Sequence, residues 1–470
     1  MMYKKPLFTL TVFCLLSPLF TGCSLAPRYA TPDMPVSQTW PAGESYGQNA
    51  EFEARELDLD VFVQNERLRS VINLALEANR DLRSQIADME AARAAYRIQR
   101  AELFPSVSAD ASGTRAQGET GSPTTTYSAD IGLSSFEIDL FGKNRSLTAA
   151  ALESYLSSEK TVEAARVSLV AETVGAWITL AADMELLRVA QDTVASAKRS
   201  LQIAESRHRN GVTSKLDVYQ AESVLRQSEA DAAKYTAAVA QDINALELLA
   251  GGSVARSLLP DGFNGSESWL GLPSAGMASN VLLRRPDVAA AEHTLKSANA
   301  NIGAARAAFF PSITLFSSAG RASSELSDLF SGGSTRIWSF VGGVNLPIFS
   351  GGARVADLEY AEAKYASQLA QYDKSVQTAF REVADALARR GTINAQIEAQ
   401  NALVDVSQRS YSLSEKRYSS GVETYLNVLQ AQRDHYTSKQ GLIDVLLLEL
   451  DNRITLYRVL GGGKDVQPDK

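Results

Sequence analysis

The chain has 470 residues, of which 45% are hydrophobic and 21% are charged, and its formal net charge is −8. This acidic balance excludes the basic surface that binding to nucleic acid requires. The two cysteines and three histidines are too scattered for a zinc site or a disulfide framework, so we expect no metal and no cofactor.

The N-terminus has the pattern of a secretory signal peptide. Lys4 and Lys5 precede an apolar run over residues 7–20 that is too short to span a bilayer. A glycine and Cys23 follow, in the order found at a lipoprotein processing site. We therefore predict that residues 1–22 are a signal peptide. Their removal takes away the two lysines and changes the formal charge to −10 (−8 − 2).

Lipidation is predicted at Cys23. A diacylglycerol and an N-terminal acyl chain on this residue would be enough for stable membrane anchoring. Ser24 follows, and the absence of aspartate there favours sorting to the outer membrane. Phe20 stands where leucine is commoner, which leaves open an ordinary signal peptide and a free thiol at Cys23. Residues 23–60 are predicted to form a lipidated, extended N-terminal segment.

An internal repeat divides the rest of the chain. Arg100–Ser106 returns as Arg306–Ser312, and Gly211-Val212 returns as Gly421-Val422. The offset between the matching segments is about 206 to 210 residues. It is far longer than the unit of a solenoid and indicates that a whole structural half was duplicated. The predicted parts are a first repeat over 61–260, a second repeat over 261–463 and a C-terminal tail over 464–470.

Each half contains two segments in which apolar and polar side chains alternate, as in strands with lipid on one face and water on the other. The alternation changes phase near Ser134-Ser135, which predicts either a β-bulge or the point where the strand leaves the bilayer. Four strands cannot close a barrel, because a single-chain barrel needs at least about eight. Such weak alternation also leaves open a soluble hairpin on a helical body. The predicted strands cover about 106–117, 127–141, 312–323 and 337–349.

Long helices dominate both halves. Residues 143–207 and 353–418 contain no proline, and each helix would extend roughly 100 Å. A helix of that length suits a bundle that crosses the periplasm. No later stretch offers 18 consecutive apolar residues, so a transmembrane helix is not predicted. Glycine at the breaks, in Gly211-Val212 and Gly421-Val422, permits the reversal that we expect at the distal tip.

One catalytic pattern occurs, G-x-S-x-G from Gly43 to Gly47. It lies in a proline-containing, loop-like stretch and lacks the strand and helix that a nucleophile elbow needs. We therefore expect that the protein is not an enzyme.

Four segments resemble the outer-membrane factors of the TolC superfamily, and the nearest type is the OprM-like lipoprotein channel of multidrug pumps. They are Gly22–Leu25, Ala307–Ile313, Asn345–Phe349 and Phe380–Asp385. The resemblance implies a mixed α and β membrane protein. Three chains with four strands each would form a twelve-stranded transmembrane β-barrel, which continues as a long α-helical periplasmic barrel.

The resemblance also implies partners and a location. The homotrimer would be lipid-anchored in the outer membrane, extend into the periplasm, and couple to a periplasmic membrane-fusion adaptor and an inner-membrane RND-type transporter. Gly211, Val212, Gly421 and Val422 are then candidate adaptor contacts at the periplasmic tip.

A periplasmic gate follows from the same resemblance. OprM-like channels carry a leucine, an aspartate four residues later and an arginine three residues beyond. Leu426 and Arg433 fill the first and third positions here, but Gln430 stands where the aspartate is expected. Asp434 lies about one helical turn further on and is a candidate acidic ring at another height, although it would equally suit a solvated helix face.

The predicted function is the passive exit duct of a tripartite efflux system for drugs and other small toxic compounds. The same architecture would serve metal-ion or type I protein export, although the dispersed methionines form no soft-ligand cluster. A trimeric coiled-coil lipoprotein without a channel is a third interpretation, and the four strand segments argue against it.

Overall fold

The computed structural model describes residues 25–46, 59–117, 121–263, 265–272 and 279–462. Within these ranges the chain forms long helices and one four-stranded sheet. The predicted signal peptide, the predicted lipidation residue Cys23 and the C-terminal tail lie outside the described residues.

The first repeat passes from short helices through a pair of strands into two long helices. Pro105 precedes the strand pair and pushes the residue before it away from helical angles, so the preceding helix ends. The elements in chain order are α1 Leu59–Phe62, α2 Glu66–Ala78, α3 Arg80–Ala101, β1 Ser106–Gln117, β2 Pro123–Ile138, α4 Lys143–Arg209 and α5 Lys215–Ala250.

The second repeat has the same order of a helix, two strands and two long helices. Short 3₁₀ turns at Arg256–Leu258, Ser266–Ser268 and Ser279–Arg284 connect it to the first repeat. Its elements are α6 Pro286–Ala307, β3 Ser312–Ser323, β4 Thr335–Asn345, α7 Ala353–Ser419 and α8 Tyr425–Val459.

Strands β1 and β3 have the predicted bounds, whereas β2 and β4 do not. Strand β2 ends at Ile138 because Asp139 turns to accept a hydrogen bond of 2.9 Å from the backbone N–H of Arg145, at the start of α4. Strand β4 ends at Asn345, before Pro347, which has no N–H to donate to a ladder.

The sheet is antiparallel throughout, in the order β1-β2-β3-β4. The pairing of β2 with β3 shifts between Leu133 and Phe136, which confirms the predicted bulge. Strands β1 and β4 each pair along one side only within the described chain. The sheet therefore ends in two open edges.

The two faces of the sheet differ in chemistry. On one face the hydroxyl oxygens of Ser112 and Ser128 are 2.9 Å apart, and those of Ser318 and Ser339 are also 2.9 Å apart. On the other face Ile131 is 62% exposed and Trp338 is 79% exposed. Phe316 and Val341 are also exposed on the face of Ser318 and Ser339, so the separation is clearest between the serine pairs and Ile131 and Trp338. Such a difference suits strands that lie between water and lipid.

The described residues form two compact units, and each unit combines parts of both repeats. One includes the described residues within Met1–Asp33, Asp88–Glu159 and Ala290–Asp373, and the other those within Met34–Ala87, Lys160–Ala289 and Lys374–Lys470. The first unit contains the sheet. The second contains a buried hydrophobic core, in which Phe62 stacks on Tyr457 with ring centroids 4.3 Å apart.

Helix α4 passes one test for a membrane span. Among the described helices it alone has an 18-residue window that is long and apolar enough to cross a bilayer. Of that window, 61% is buried inside the protein, as in a core helix. By length and composition alone, α4 is thus compatible with a transmembrane helix. This differs from the prediction of no transmembrane helix, which was made because no run of 18 consecutive apolar residues occurs.

Candidate functional site

The first tip turn, residues 207–214, reverses the chain between α4 and α5. Gly211 has a φ of 72°, a left-handed conformation that glycine adopts without steric cost. The N–H of Val212 donates to the carbonyl five residues earlier at 2.9 Å, which closes the end of α4. Ser214 and Asp217 then start α5 with reciprocal side-chain to backbone hydrogen bonds.

The second tip turn, residues 417–424, repeats this geometry between α7 and α8. Gly421 has a φ of 76°, and the N–H of Val422 donates to the carbonyl five residues earlier at 3.0 Å. Thr424 caps α8 without a side-chain hydrogen bond, so this turn lacks the capping box of the first. Its own ion pair joins Arg417 Nε to Glu423 Oε2 at 3.0 Å.

Apolar side chains are exposed at matching positions in both tip turns. Val212 is 62% exposed and Val422 is 68% exposed, and the first turns of the following helices expose Leu216 at 62% and Leu426 at 58%. A repeated exposed apolar patch is a feature of surfaces that bind another protein. The predicted adaptor contacts therefore lie where an apolar partner surface can reach them.

A small core lies behind the tip turns and joins them. Arg207 places its guanidinium 4.5 Å from the centroid of the Tyr418 ring and donates to the Tyr418 carbonyl at 3.1 Å. The Tyr418 and Tyr425 rings are 5.2 Å apart. Sequence reasoning missed this cross-repeat contact, because Arg207 and Tyr418 are more than two hundred residues apart and neither belongs to a motif. The other buried members include Ala197, Ala204, Val218, Ala221, Leu225, Val428 and Leu429.

The four predicted gate residues share the exposed face of α8. Leu426, Gln430, Arg433 and Asp434 are all exposed, whereas their neighbours Tyr425, Val428, Leu429, Ala431 and Gln432 are buried. The amide of Gln430 donates to Asp434 Oδ1 at 2.8 Å. Gln430 is thus hydrogen-bonded to the carboxylate that we consider its acidic substitute.

An acidic pair links α4 to α5. Burial, followed by the charge of Asp183 and a hydrogen bond with it, raises the pKa of Asp242 to about 6. Burial and the charge of Asp183 also raise the pKa of Asp444, on α8. No group of three or more His, Cys, Asp or Glu side chains in the described part of the chain is arranged to hold a metal ion. Because the pKa of Asp242 is raised, a proton on its carboxyl stabilises the contact between Asp183 and Asp242.

We expect Asp242→Asn to stabilise the protein more at pH 7.5 than at pH 4. The folded-state pKa of Asp242 exceeds its ordinary value of 3.8, so its favourable contribution is complete below 3.8 and is lost as the pH rises through about 6. Allowing for solvent screening, the difference between the two pH values should be about 1 kcal/mol. Thermal unfolding of both proteins at each pH measures it, and equal shifts at the two pH values would contradict it.

Comparison with known proteins places this geometry in a family. The chain matches the family model described as outer membrane efflux protein over residues 71–252 and 277–462. The solvent efflux pump outer membrane protein SrpC of Pseudomonas putida is 42% identical over 467 residues, which cover 97% of this chain and 98% of the relative. Outer membrane protein OprJ of Pseudomonas aeruginosa is 38% identical over 469 residues, covering 98% and 97%.

Solved structures agree with these relatives. A membrane protein from Pseudomonas aeruginosa superimposes with a TM-score of 0.88 at 38% identity, covering 95% of this chain and 99% of that one. The open state of the Neisseria gonorrhoeae MtrE outer membrane channel gives a TM-score of 0.84 at 34% identity, covering 94% and 98%. The chain therefore belongs to the outer membrane efflux protein family, as its resemblance to the TolC superfamily predicted.

Proposed function

We propose that three copies of this outer-membrane efflux protein form one exit duct for drugs and other small toxic compounds. The observation that carries the proposal is the four-stranded sheet with two open edges, β1 and β4. A sheet exposed to lipid cannot leave edge N–H and C=O groups unpaired, because no water is there to bind them. Pairing β4 of one copy with β1 of the next in a closed ring removes every open edge. The number of copies comes from the family resemblance, which implies three and therefore twelve strands.

Chemical cross-linking in native membranes tests the number of copies. We expect the mature protein to give a ladder that ends at the trimer. The tip variants described below serve as a control, because they leave the sheet unchanged and should give the same ladder. A product that remains mainly monomeric or dimeric as the cross-linker increases would contradict the trimer.

The proposed cargo and partners rest on the relatives. Those with about 42% identity are named as toluene, solvent and antibiotic efflux pump components, so we assign small apolar and antibiotic compounds to this duct as well. An outer-membrane duct has no energy source of its own. We therefore assign it a periplasmic adaptor and an inner-membrane RND-type transporter. Metal-ion or protein export stays the alternative cargo.

The exposed apolar patch at the tip turns gives a prediction about the adaptor. Replacing both Val212 and Val422 with aspartate should raise drug accumulation close to the level of a deletion strain, because docking would bury two unpaired charges in each copy. Ser420→Asp is the matched control, since it adds a charge in the second tip turn and keeps both valines. Accumulation of a fluorescent efflux substrate in whole cells measures the effect. Normal efflux in the double variant would exclude the patch as an adaptor contact.

The gate interpretation predicts a change in ion selectivity. We expect Asp434→Asn to lower the cation-to-anion permeability ratio of the purified channel about twofold, because a ring of carboxylates at a constriction favours cations. Asp405→Asn, which removes an exposed carboxylate on α7, is the control and should leave the ratio unchanged. Reversal potentials across planar bilayers under a salt gradient give the ratio. The same ratio in Asp434→Asn and the wild type would mean that Asp434 only solvates α8.

The lipid anchor is also proposed, since Cys23 lies outside the described residues. Its support is the signal-peptide pattern and the cysteine placed directly after glycine. Mass spectrometry of the N-terminal peptide of the mature protein tests it. The expected mass includes a diacylglycerol and one further acyl chain, and an unmodified cysteine would contradict the anchor.

A further inference from the structure

The segment from Ala26 to Thr31, which we call the strap, lies along helix α6. Gly303 leaves a notch for it, because a Cβ on this glycine would lie 2.6 Å from the Cβ of Ala26. The buried amide of Asn299 donates to the carbonyl of Pro27 at 2.9 Å. The N-terminal end of the strap is thus held by both shape and a hydrogen bond.

The C-terminal end of the strap is held by polar side chains of α6. The Tyr29 hydroxyl donates to Glu292 Oε1 at 3.2 Å, and the Thr31 hydroxyl donates to the same oxygen at 3.3 Å. Lys296 Nζ lies 5.3 Å from the centroid of the Tyr29 ring and 3.0 Å from Glu292. Burial, with the charge and hydrogen bond of Glu292, raises the pKa of Tyr29, so its hydroxyl stays protonated and remains a donor.

The contacts define a track on one face of α6. Gly303, Asn299, Lys296 and Glu292 are spaced by three or four residues, which places them on one side of a helix. Their numbers fall as those of the strap rise, so the strap runs antiparallel to α6. We call these four residues the track.

The track belongs to the second repeat alone. At the 206-residue offset that relates Arg100 to Arg306, the position of Gly303 corresponds to the exposed Arg97 of α3. A glycine inside a helix costs roughly 1 kcal/mol relative to alanine. Only one of the two duplicated helices contains this destabilising glycine, which indicates a local reason for it. The close approach of Ala26 to Gly303 is that reason.

The contact of the strap with the track fixes where the N-terminal segment leaves the surface of α6. Gly303 is close to the end of α6 at Ala307, and β3 begins shortly afterwards at Ser312. The strap therefore starts near the end of the sheet at which β3 begins, which we call the foot of the sheet. At this end Phe309 is 39% exposed and Phe310 is 43% exposed in the single chain. Exposed aromatic side chains at strand ends are typical of the level where a barrel meets the membrane surface.

We propose that the strap and its track position the lipid anchor, so that the acyl chains enter the membrane beside the foot of the sheet. The inference rests on the proposed acylation of Cys23. Three residues of extended chain span at most about 11 Å, so covalent geometry keeps the anchor within that distance of Ala26. A strap bound to the track thus restricts the position of each lipid anchor to a small area of the membrane surface. A strap detached from the track would allow the anchor a much wider range of positions.

Spin labelling at Leu25 tests the proposal in the lipidated trimer. The mature chain has no cysteine other than Cys23, so Leu25→Cys gives one label per copy. In lipid nanodiscs, double electron–electron resonance should give one narrow distribution of distances between copies. Gly303→Leu fills the notch and should broaden that distribution roughly twofold or more, since a free segment samples many positions. Asn301→Leu, on an exposed position of α6, is the control and should keep it narrow.

A second variant protects the test against poor folding of Gly303→Leu. Glu292→Ala combined with Asn299→Ala removes the acceptor for Tyr29 and Thr31 and the donor to Pro27 without adding volume, and it should also broaden the distribution. An equally narrow distribution in both track variants would overturn the proposal, as would a broad one in the wild-type background. Mass spectrometry of the same samples reports acylation separately, so a missing anchor is distinguished from a strap that does not position it.

Discussion

We expect Arg285→Met to lower the free energy of unfolding by about 2 kcal/mol, because it removes hydrogen bonds from a buried guanidinium to two carboxylates, Asp287, which is 48% exposed, and Glu382, which is 23% exposed. The side chain of Arg285 is only 8% exposed. It contacts Asp287 at 2.7 Å and Glu382 at 2.9 Å, and it donates to the carbonyl of Val459 at 3.0 Å. One side chain thereby joins the start of α6, helix α7 and the end of α8.

The electrostatics of Arg285 support a large effect. Burial opposes its charge, but the hydrogen bonds and charges of Asp287 and Glu382 outweigh burial and raise its pKa. Burial likewise opposes ionisation of Asp287, yet the hydrogen bond and charge of Arg285 lower the pKa of that carboxyl. Asp287 therefore contributes stability above its ordinary pKa, and this contribution is lost as the pH falls.

Denaturation of the detergent-solubilised protein measures the effect of Arg285→Met. The neighbouring Arg284→Met is the control, because Arg284 is exposed and its loss should change stability by less than about 0.5 kcal/mol. A double variant, Arg285→Met with Glu382→Gln, should recover part of the lost stability. If Arg285→Met and Arg284→Met unfold alike, the buried ion pair does not stabilise the fold.

A similarly large loss is expected for Gly251→Ala at the end of α5. Gly251 has a φ of 73°, and a Cβ there would lie 2.5 Å from the carbonyl carbon of Ala78. The left-handed conformation costs a non-glycine residue roughly 1–2 kcal/mol, and overpacking adds roughly 1–3 kcal/mol. We therefore expect a loss of about 3 kcal/mol.

Gly211→Ala separates the two causes of that loss. Gly211 has almost the same φ, 72°, but an added Cβ would have no atom within 4 Å. Its variant should lose only the conformational part, about 1 kcal/mol. Thermal unfolding of both variants under the same conditions makes the comparison. Equal losses would show that the contact with Ala78 relaxes and contributes nothing.

Much of the fold could be predicted from the sequence because its signals are local. Pro105 and Pro311 end helices directly before β1 and β3, so these strands begin where predicted. The ends of β2 and β4 depend instead on how Asp139 caps α4 and where Pro347 stops the ladder, and alternation alone carries neither effect. The phase change in β2 was a local signal, and it correctly predicted the bulge.

The candidate site could be predicted only in part. The tip turns follow from glycine at the ends of proline-free helices. The gate residues of α8 were predicted from the family resemblance and not from a local pattern. The contact of Arg207 with Tyr418 and the ion pair of Arg285 with Glu382 join segments that are distant in the chain, so no local pattern reports them. The strap was predicted only as an extended segment, because its seat depends on the opposing surface of α6.

The central claim is that this chain is the exit duct of an efflux pump, and ethidium accumulation tests it most directly. The gene would be deleted from the source strain and then restored, with an unrelated dye that is not a pump substrate measured in parallel. We predict that deletion raises ethidium accumulation, that restoration lowers it again, and that the control dye does not change. Unchanged ethidium after deletion would contradict the claim, and measurement of secreted proteins and metal tolerance in the same strains would then examine the alternative cargoes.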